Sequence, residues 1–364
     1  MVATPRTSER SADRSQEALA PLEPRLRFRT YLGKVGSGEH TSSGLSREEA
    51  ADAMELMLDG AASPAQIGAF LIAHRIRRPE PQELTGMLDV YRRRGPTLTS
   101  REPAICFGMP FDGRSRTAPI YPLTALVLAA AGLPVVLQGG SRMPVKYGVT
   151  AAELFESLGL RLSGQSLNQV QSNLDRWKLA LVHQPDHFPE ADSLIPIRDD
   201  IGKRPPLASL ELMWTAHQGE HLLVSGFVHP PTEARAWEAL RLAGETNVFT
   251  VKGLEGSTDL PISRACVTGL SQGGGIERLI LHPRDHGCYG ADPAWNELNN
   301  WSQQALAALG GQGELANSLR WNCSTYLWQA SHCRDQQDGM QQTDALLQSG
   351  APLRLLEQLR EALN

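Results

Sequence analysis

Apolar residues between positions 103 and 160 fall into two short runs, each closed by a glycine-containing turn and followed by a segment with helical periodicity. The two runs are Ala104–Gly108 and Leu133–Leu137. A short apolar strand followed by a loop and a helix is the repeating unit of a parallel α/β sheet. Because small molecules bind such sheets at the carboxyl ends of the strands, we expect the functional loops at Met109–Ala118 and Gln138–Val149.

The segment before these strands has the spacing of amphipathic helices. Ser46 and Glu49 form a capping-box pattern, and Ser63-Pro64 places a cap and a first-turn proline before a second helix. A third helix is predicted from about Pro81 to Arg94. Together these features predict a helical domain over residues 25–97.

The strand and helix pattern continues over residues 103–364. We therefore predict an α/β fold, with a small N-terminal helical domain and a large α/β domain whose mainly parallel sheet is flanked by helices. Residues 1–24 are polar without an apolar period and are expected to be a disordered tail, and His183–Ile197 is expected to be a loop. Further strands are predicted at Leu179–Val182, Leu222–Val228, Asn247–Val251 and Arg278–Leu281.

Composition is that of an ordinary globular protein. The chain has 364 residues, of which 41% are hydrophobic and 21% charged, and this is ample for a large core. No apolar run approaches the roughly 20 residues that span a bilayer, and the polar N-terminus lacks a secretory core segment. The chain has five cysteines, an odd number without a CxxC pair, and this argues against a disulfide framework. It favours a reducing compartment. We expect a cytoplasmic protein without a membrane partner.

Basic residues are clustered, although the net charge of the chain is −5. That net charge does not indicate a general nucleic-acid binder, but it leaves a local basic face open. The alternative is that the clusters are solvated helix ends, where cations interact favourably with the helix dipole. The candidate nucleic-acid residues are Arg75, Arg77, Arg78, Arg92, Arg93, Arg94 and Arg142.

Two local motifs are better explained by ordinary loops than by chemistry. Gly269–Gly273 matches the letters of the GxSxG nucleophile elbow, which needs an apolar strand before it and a helix after it. The preceding segment is only partly apolar and more glycines follow, so a flexible glycine loop is favoured over a hydrolase site. His282, His286 and Cys288 lack helical spacing and a second ligand pair, so a surface loop is favoured over a metal site.

Three longer motifs carry a resemblance to a known family. The helical region has Ser46-Arg-Glu-Glu-Ala and Ser63-Pro-Ala-Gln-Ile-Gly-Ala-Phe-Leu, and the C-terminal helices have Gln348-Ser-Gly-Ala-x-x-Arg-Leu-Leu-Glu. In this order of parts the chain resembles the anthranilate phosphoribosyltransferase family, of the nucleoside phosphorylase type, over residues 27–364. The resemblance implies the same two-domain fold as the strand and helix pattern, and a homodimer formed through the helical domain.

The resemblance also implies where a substrate would bind. The family's GTGGD loop, which holds the pyrophosphate of phosphoribosyl pyrophosphate, falls on Gly108–Asp112. Its KHGN loop and the stretch after it fall on Leu137–Arg142, with Gly139 as the matching glycine. Both loops are altered, so the chain is a divergent member. Arg198 corresponds to a family arginine that contacts anthranilate, and Asp259, with Glu255 nearby, to the family's Mg²⁺-chelating pair. The substrate-binding residues carried over are Gly108, Asp112, Gly113, Gly139, Lys146, Arg198 and Arg204.

Cationic side chains remain in the loops that would surround this site, namely Arg114, Arg116, Arg142, Lys146, Arg198 and Arg204. We expect the two loops to face each other across an anion-sized gap, lined by cations suited to phosphate; surface charges on loops are the alternative. One hypothesis is a phosphoribosyltransferase-like glycosyltransferase that binds an anionic ribosyl diphosphate in the interdomain cleft with Mg²⁺. The other is a non-catalytic DNA- or RNA-binding protein on the same scaffold, a branch that the stretch 202–210 (GKRPPLASL) resembles.

Overall fold

The computed structural model describes residues 22–38, 41–272 and 275–363. Most of the tail predicted over residues 1–24 lies outside these ranges, and the first helix already begins at Pro24. Two 3-10 helices, Leu254–Gly256 and Pro283–His286, occur in the described part of the chain. The strands are β1 (Leu98–Thr99), β2 (Ala104–Gly108), β3 (Val135–Gly139), β4 (Leu179–His183), β5 (His217–Gln218), β6 (His221–Gly226), β7 (Val248–Val251), β8 (Cys266–Gln272) and β9 (Gly275–Leu281).

The helices outnumber the strands and surround them. In chain order they are α1 (Pro24–Gly36), α2 (Arg47–Leu58), α3 (Pro64–Arg77), α4 (Pro81–Arg94), α5 (Tyr121–Ala130), α6 (Ala151–Ser157), α7 (Leu167–Trp177), α8 (Gln184–His187), α9 (Pro189–Asp192), α10 (Ile195–Ile201), α11 (Leu207–Met213), α12 (Pro230–Leu242), α13 (Leu298–Leu309), α14 (Ala316–Gln329), α15 (Gln336–Ser349) and α16 (Ala351–Leu363).

The N-terminal helices begin where the capping signals predict. Ser46 accepts a hydrogen bond from the Glu49 N–H while the Glu49 carboxylate accepts one from the Ser46 N–H. The same reciprocal pair joins Ser63 and Gln66 at the start of α3. These boxes satisfy N–H groups that a helix cannot pair internally, so the prediction of three helices after residue 45 is confirmed.

A seven-stranded sheet forms the centre of the larger domain, in the order β4-β3-β2-β6-β7-β8-β9. The first five strands in this order are parallel, and β8 and β9 are antiparallel additions at one edge. The prediction of a mainly parallel sheet flanked by helices is confirmed. The expectation of a glycine loop around Ser271 is wrong, because Ser271 lies within β8 and pairs with Ile276 of β9. From Gly275 the chain continues as strand β9, whereas a nucleophile elbow needs a helix at this point.

Alternation along the strands divides the core between the two faces of the sheet. Ile105 and Phe107 face one layer, where they pack with α5 and the C-terminal helices. Ala104 and Cys106 face the opposite layer, whose apolar cluster continues into Met87 of the helical domain. Because one cluster spans both parts, the helical domain is held against the sheet by shared apolar packing.

Two connecting segments are more regular than the sequence predicts. The stretch His183–Ile197, expected to be a loop, contains α8, α9 and the start of α10. Leu98–Thr99, between the domains, forms strand β1 and pairs with β5. None of the helices in the described residues is both long and apolar enough to cross a membrane.

Close packing of α2 against α4 depends on Gly86. A Cβ at this position would lie 2.1 Å from the Arg47 carbonyl oxygen and 3.0 Å from the Ala51 nitrogen. We predict that Gly86→Ala lowers the free energy of unfolding by about 3 kcal/mol, because two backbones cannot separate without disturbing the bundle core. Urea denaturation followed by circular dichroism measures this change.

The matched control is Gly33→Ala in α1, where an added Cβ meets no atom within 4 Å. Alanine is the better helix former there, so this variant should keep or gain up to about 1 kcal/mol of stability. Equal losses in the two variants would contradict the packing argument.

Candidate functional site

Three loops meet at the carboxyl edge of the sheet: loop 1 (residues 109–120) after β2, loop 2 (residues 140–150) after β3, and loop 3 (residues 252–259) after β7. Loops 1 and 2 are joined by backbone hydrogen bonds. The Gly148 N–H donates to the Asp112 carbonyl over 3.0 Å, and Arg114 and Val149 exchange N–H···O bonds of 3.1 and 2.8 Å. The two loops therefore form a short antiparallel bridge.

Gly113 makes this close approach possible. Its φ is +78°, and a Cβ there would lie 2.5 Å from the Gly148 backbone. The cavity left between the loops measures about 10 Å³, enough for about one water molecule at most. Phe111 and Tyr121, each 4% exposed, border it. The prediction of an anion-sized gap between loops 1 and 2 is wrong.

A buried guanidinium connects loop 1 to loop 3. Arg114 Nη1 donates to Asp259 Oδ2 over 2.7 Å and to Ser257 Oγ over 2.6 Å, and Arg114 Nε donates to Glu255 Oε1 over 3.3 Å. The Arg114 side chain is only 1% exposed. A charge so buried needs partners of opposite sign and satisfied hydrogen bonds. Arg114 therefore does not lie at the pocket mouth, as its loop position predicted, but serves as an internal counter-ion.

Asp259, the predicted metal ligand, is occupied by this network. Its Oδ2 also accepts from the Ile120 N–H over 2.9 Å, at the N-terminus of α5. Burial raises the pKa of Asp259, and the charge of Arg114 opposes that rise. No group of three or more His, Cys, Asp or Glu side chains within residues 22–38, 41–272 and 275–363 could hold a metal ion. Mg²⁺ does not fit at Asp259, because the guanidinium already provides the positive charge there.

Glu255, which the sequence analysis names only as a neighbour of Asp259, is held by backbone donors of loop 1. It accepts hydrogen bonds from the N–H groups of Ser115, Arg116 and Thr117 at 3.3, 3.0 and 3.0 Å. Burial alone would raise its pKa, but the charge of Arg114 and the N–H donors lower it to about 2. A carboxylate in a glycine-flanked loop after a strand was the available sequence signal.

A much larger cleft lies between the helical domain and the α/β domain. Its volume is about 1070 Å³, and side chains of both domains line it. Arg75 and Arg78 come from the helical domain. The cations from the α/β domain are Arg116, Lys146, Arg204, Arg235, Lys252 and Arg264.

The acidic side chains of the cleft are buried and neutralised. Each of the four is ion-paired with an arginine: Asp112 with Arg204, Glu211 with Arg198, Glu233 with Arg278, and Glu255 with Arg114. By contrast, no carboxylate oxygen of the described residues lies within 4.0 Å of a charged nitrogen of Arg75, Arg78, Arg235 or Lys252. The cleft surface therefore carries an excess of uncompensated positive charge.

The predicted substrate residues are divided between this cleft and the interior. Lys146 and Arg204 line the cleft, as does Asp112, to which Arg204 is bound. Arg198, expected to contact an acceptor, is 3% exposed, paired with Glu211, and not part of the cleft wall. Glu211 binds only Nη1, and Nε and Nη2 of Arg198 are buried without a hydrogen-bond partner among the described residues. Direct contact with an acceptor in the cleft does not follow from this buried placement.

Of the predicted glycines Gly108 and Gly139, only Gly108 is required by close packing. A Cβ at Gly108 would lie 2.1 Å from the Leu212 carbonyl oxygen, so this position is a contact between β2 and α11. At Gly139 the nearest atom to an added Cβ is the Ala151 Cβ at 3.7 Å, an ordinary contact. Gly108 and Gly113 therefore face protein backbone, where the resemblance implied a diphosphate.

Most of the candidate nucleic-acid arginines are held in ion pairs. Arg77 binds Glu83, Arg92 binds Glu245, Arg93 and Arg94 bind Glu55, and Arg142 binds Glu153. The pairs of Arg92, Arg93 and Arg94 tie α4 to α2 and to the segment after α12. The prediction of a single basic face containing all seven arginines is therefore wrong. Of the seven, only Arg75 and Arg78 line the cleft.

A family model described as "Glycosyl transferase family, helical bundle domain" matches residues 29–95, and one described as "Glycosyl transferase family, a/b domain" matches residues 114–353. The anthranilate phosphoribosyltransferase of Xanthobacter autotrophicus is 24% identical over 342 residues, which are 91% of this chain and 95% of that protein. That of Methylocella silvestris is 26% identical over 348 residues, 93% of this chain and 95% of the relative.

Solved structures show the same fold. The anthranilate phosphoribosyltransferase of Thermus thermophilus superposes with a TM-score of 0.75 at 21% identity, over 93% of this chain and 99% of the other. The Saccharomyces cerevisiae enzyme in complex with PRPP and Mg superposes with a TM-score of 0.78 at 14% identity, over 93% and 98% of the two chains.

The depressed pKa of Glu255 generates a prediction about stability. A carboxyl pKa of about 2 in the folded state, against 4.5 for the free group, corresponds to about 3 kcal/mol of folding stability at pH 7. Because the folded-state pKa is lowered, this contribution is present above pH 4.5 and is lost as the pH falls toward 2. The difference in unfolding free energy between wild type and Glu255→Gln should therefore shrink by about half between pH 7 and pH 3.

Urea unfolding at both pH values measures this difference. Glu156→Gln is the control, because Glu156 is 59% exposed and lies 3.8 Å from Arg161. Such a surface pair should contribute no more than about 1 kcal/mol at either pH. A difference for Glu255→Gln that does not change with pH would show that the charge of this carboxylate is not what stabilises the loops.

Proposed function

The chain belongs to the glycosyl transferase family that includes the anthranilate phosphoribosyltransferases, and from that premise we propose that it binds a phosphate-bearing ligand in the cleft between its two domains. A ribosyl diphosphate is the first ligand class to consider, since a structural neighbour is solved with PRPP. The proposal is for binding through arginine and lysine side chains. Transfer to anthranilate is not part of it, because Arg198 is buried against Glu211.

The observation that carries the proposal is the charge balance of the cleft. Its carboxylates are individually neutralised, while Arg75, Arg78, Arg235 and Lys252 have no acidic partner among the described residues. Unpaired cations on two facing walls attract phosphate, and their partial desolvation in a cleft strengthens each contact. Burial lowers the pKa of Lys146, a further cost of holding this charge without a ligand.

The site differs from a metal-assisted diphosphate site. Arg114 takes the place of an external cation beside Asp259 and Glu255, and the loop 1–loop 2 bridge leaves no space for a diphosphate between those loops. We therefore infer that ligand charge is neutralised by the cleft side chains themselves. Any stabilisation of a departing phosphate would have to come from these fixed cations.

Nucleic acid is a second candidate, favoured by the size of the cleft. At about 1070 Å³ the cleft is at the upper end of small-molecule sites, which span roughly 300–1,000 Å³. Arg75 and Arg78 on one wall and Lys252 on the other would contact successive phosphates of a single strand. The homodimer and the cytoplasmic location implied at the sequence level stay predictions.

We predict that the double variant Arg75→Ala/Lys252→Ala weakens ligand binding by about tenfold or more, because each lost charged hydrogen bond contributes ~1.5–3 kcal/mol. Isothermal titration with phosphoribosyl pyrophosphate and fluorescence anisotropy with a single-stranded oligonucleotide distinguish the two ligand classes. For an oligonucleotide, the slope of log K against log salt should also decrease by about one per lost contact.

Arg334→Ala is the matched control, since Arg334 is 84% exposed on its side chain and outside the cleft wall. It should bind as wild type does. If neither probe binds wild type, or if the double variant binds as tightly as Arg334→Ala, the proposed function is wrong.

A metal-removal experiment tests the role assigned to Arg114. Binding of phosphoribosyl pyrophosphate should have the same Kd, within about twofold, with excess Mg²⁺ and with EDTA, because the Arg114 guanidinium already neutralises Asp259 and Glu255. A large loss of affinity in EDTA would show that the ligand brings or requires a metal ion, and would contradict neutralisation by side chains alone.

A further inference from the structure

The surroundings of the Glu255 carboxylate are those of a bound anion. Oε1 accepts from the N–H groups of Arg116 and Thr117 and from the Thr117 hydroxyl, each at 3.0 Å, and Oε2 accepts from the Ser115 N–H at 3.3 Å. Three consecutive backbone N–H groups directed at one group form a nest that suits oxyanions. We propose that Glu255 is an internal ligand, which fills an oxyanion cradle in loop 1 and closes it to free phosphate.

The cations around the cradle support this assignment. Arg114 Nε lies 3.3 Å from Glu255 Oε1, and Lys146 Nζ and Arg116 Nε lie 3.6 and 3.8 Å from Oε2. Three cations and four hydrogen-bond donors surround this one carboxylate, a set that also suits a phosphate. Two of the cations are shared with other acids, because Arg114 Nη1 binds Asp259 Oδ2 over 2.7 Å and Lys146 Nζ lies 3.9 Å from Asp112 Oδ1. Arg114 uses different nitrogens for its two acids, Nε for Glu255 and Nη1 for Asp259.

The backbone of Glu255 has an unusual conformation that places its carboxylate in the cradle. Its φ and ψ are +56° and +21°, a left-handed conformation that glutamate adopts rarely. The following residue, Gly256, also has a positive φ, of +79°. The hydrogen bonds that the Glu255 carboxylate accepts from loop 1 offset the free-energy cost of this backbone conformation.

The cradle opens toward the interdomain cleft, since Arg116, Lys146, Glu255 and Gly256 all line it. Shortening the Glu255 side chain would leave the nest and its cations facing the cleft without an anion. The resulting space would admit a tetrahedral oxyanion such as inorganic phosphate. This inference does not depend on which ligand the cleft binds.

The experiment compares Glu255→Ala with wild type, using inorganic phosphate as the probe at constant ionic strength in chloride buffer. Glu255→Ala should unfold at a lower temperature than wild type, and phosphate should raise its Tm by several degrees more than that of wild type. Isothermal titration should show one more phosphate site in the variant than in wild type. Glu255→Gln still fills the cradle, so phosphate should not restore its stability.

Asp344→Ala is the control for a general ion effect. Asp344 pairs with Arg320 through two hydrogen bonds of 2.6 and 2.8 Å and accepts no backbone N–H in the contacts described. It should lose stability without responding to phosphate. If Glu255→Ala gains no more from phosphate than Asp344→Ala or wild type, the proposal is overturned.

If Glu255→Ala does not fold in chloride, refolding of the denatured variant in phosphate tests the proposal instead. Recovery of folded protein in phosphate but not in chloride of equal ionic strength would support the internal-ligand role. Failure to recover in both buffers, while Glu255→Gln folds in both, would overturn it, because an empty cradle should accept phosphate.

Discussion

A single buried guanidinium, that of Arg114, organises the carboxyl edge of the sheet. It comes from the loop after β2 and is neutralised by two carboxylates of the loop after β7, Asp259 and Glu255. Burying one charge without partners would be prohibitive, so the positions of these loops are mutually dependent. The same network places Asp259 at the N-terminus of α5 and Glu255 over the N–H groups of loop 1, where carboxylates interact well with backbone donors.

The scaffold of this chain is that of its family, whereas the loops at the sheet edge have their own set of contacts. The two-domain scaffold matches that of the anthranilate phosphoribosyltransferases over nearly the whole chain. At the sheet edge, however, backbone-to-backbone pairing between Arg114 and Val149 and the apolar side chains Phe111 and Tyr121 occupy the space between loops 1 and 2. A shared fold therefore does not imply a shared ligand site, since site chemistry resides in loops that change while the core is kept.

Several cations that form no ion pair with a carboxylate of the described residues line the interdomain cleft. The ion pairs of Arg92, Arg93 and Arg94 hold helices together, so these residues contribute to the assembly of the bundle more than to a binding face. Arg75, Arg78 and Lys252 remain without acidic partners among the described residues and face the cleft. The distinction between structural and available arginines depends on carboxylates that are distant in sequence, such as Glu245 for Arg92.

The sequence by itself determined the local elements: the capped helices after Ser46 and Ser63, the parallel strand at Ala104–Gly108, and the order of the two domains. It also placed the next strand within two residues, at Leu133–Leu137 against the observed Val135–Gly139. These follow from caps and apolar periodicity, which act over a few residues. Only the tertiary structure decided that Arg114 meets Asp259, 145 residues further along the chain, and that Glu255 fills the nest in loop 1. Electrostatic pairing depends on distance in space and on burial, and neither is encoded in the local spacing of charges.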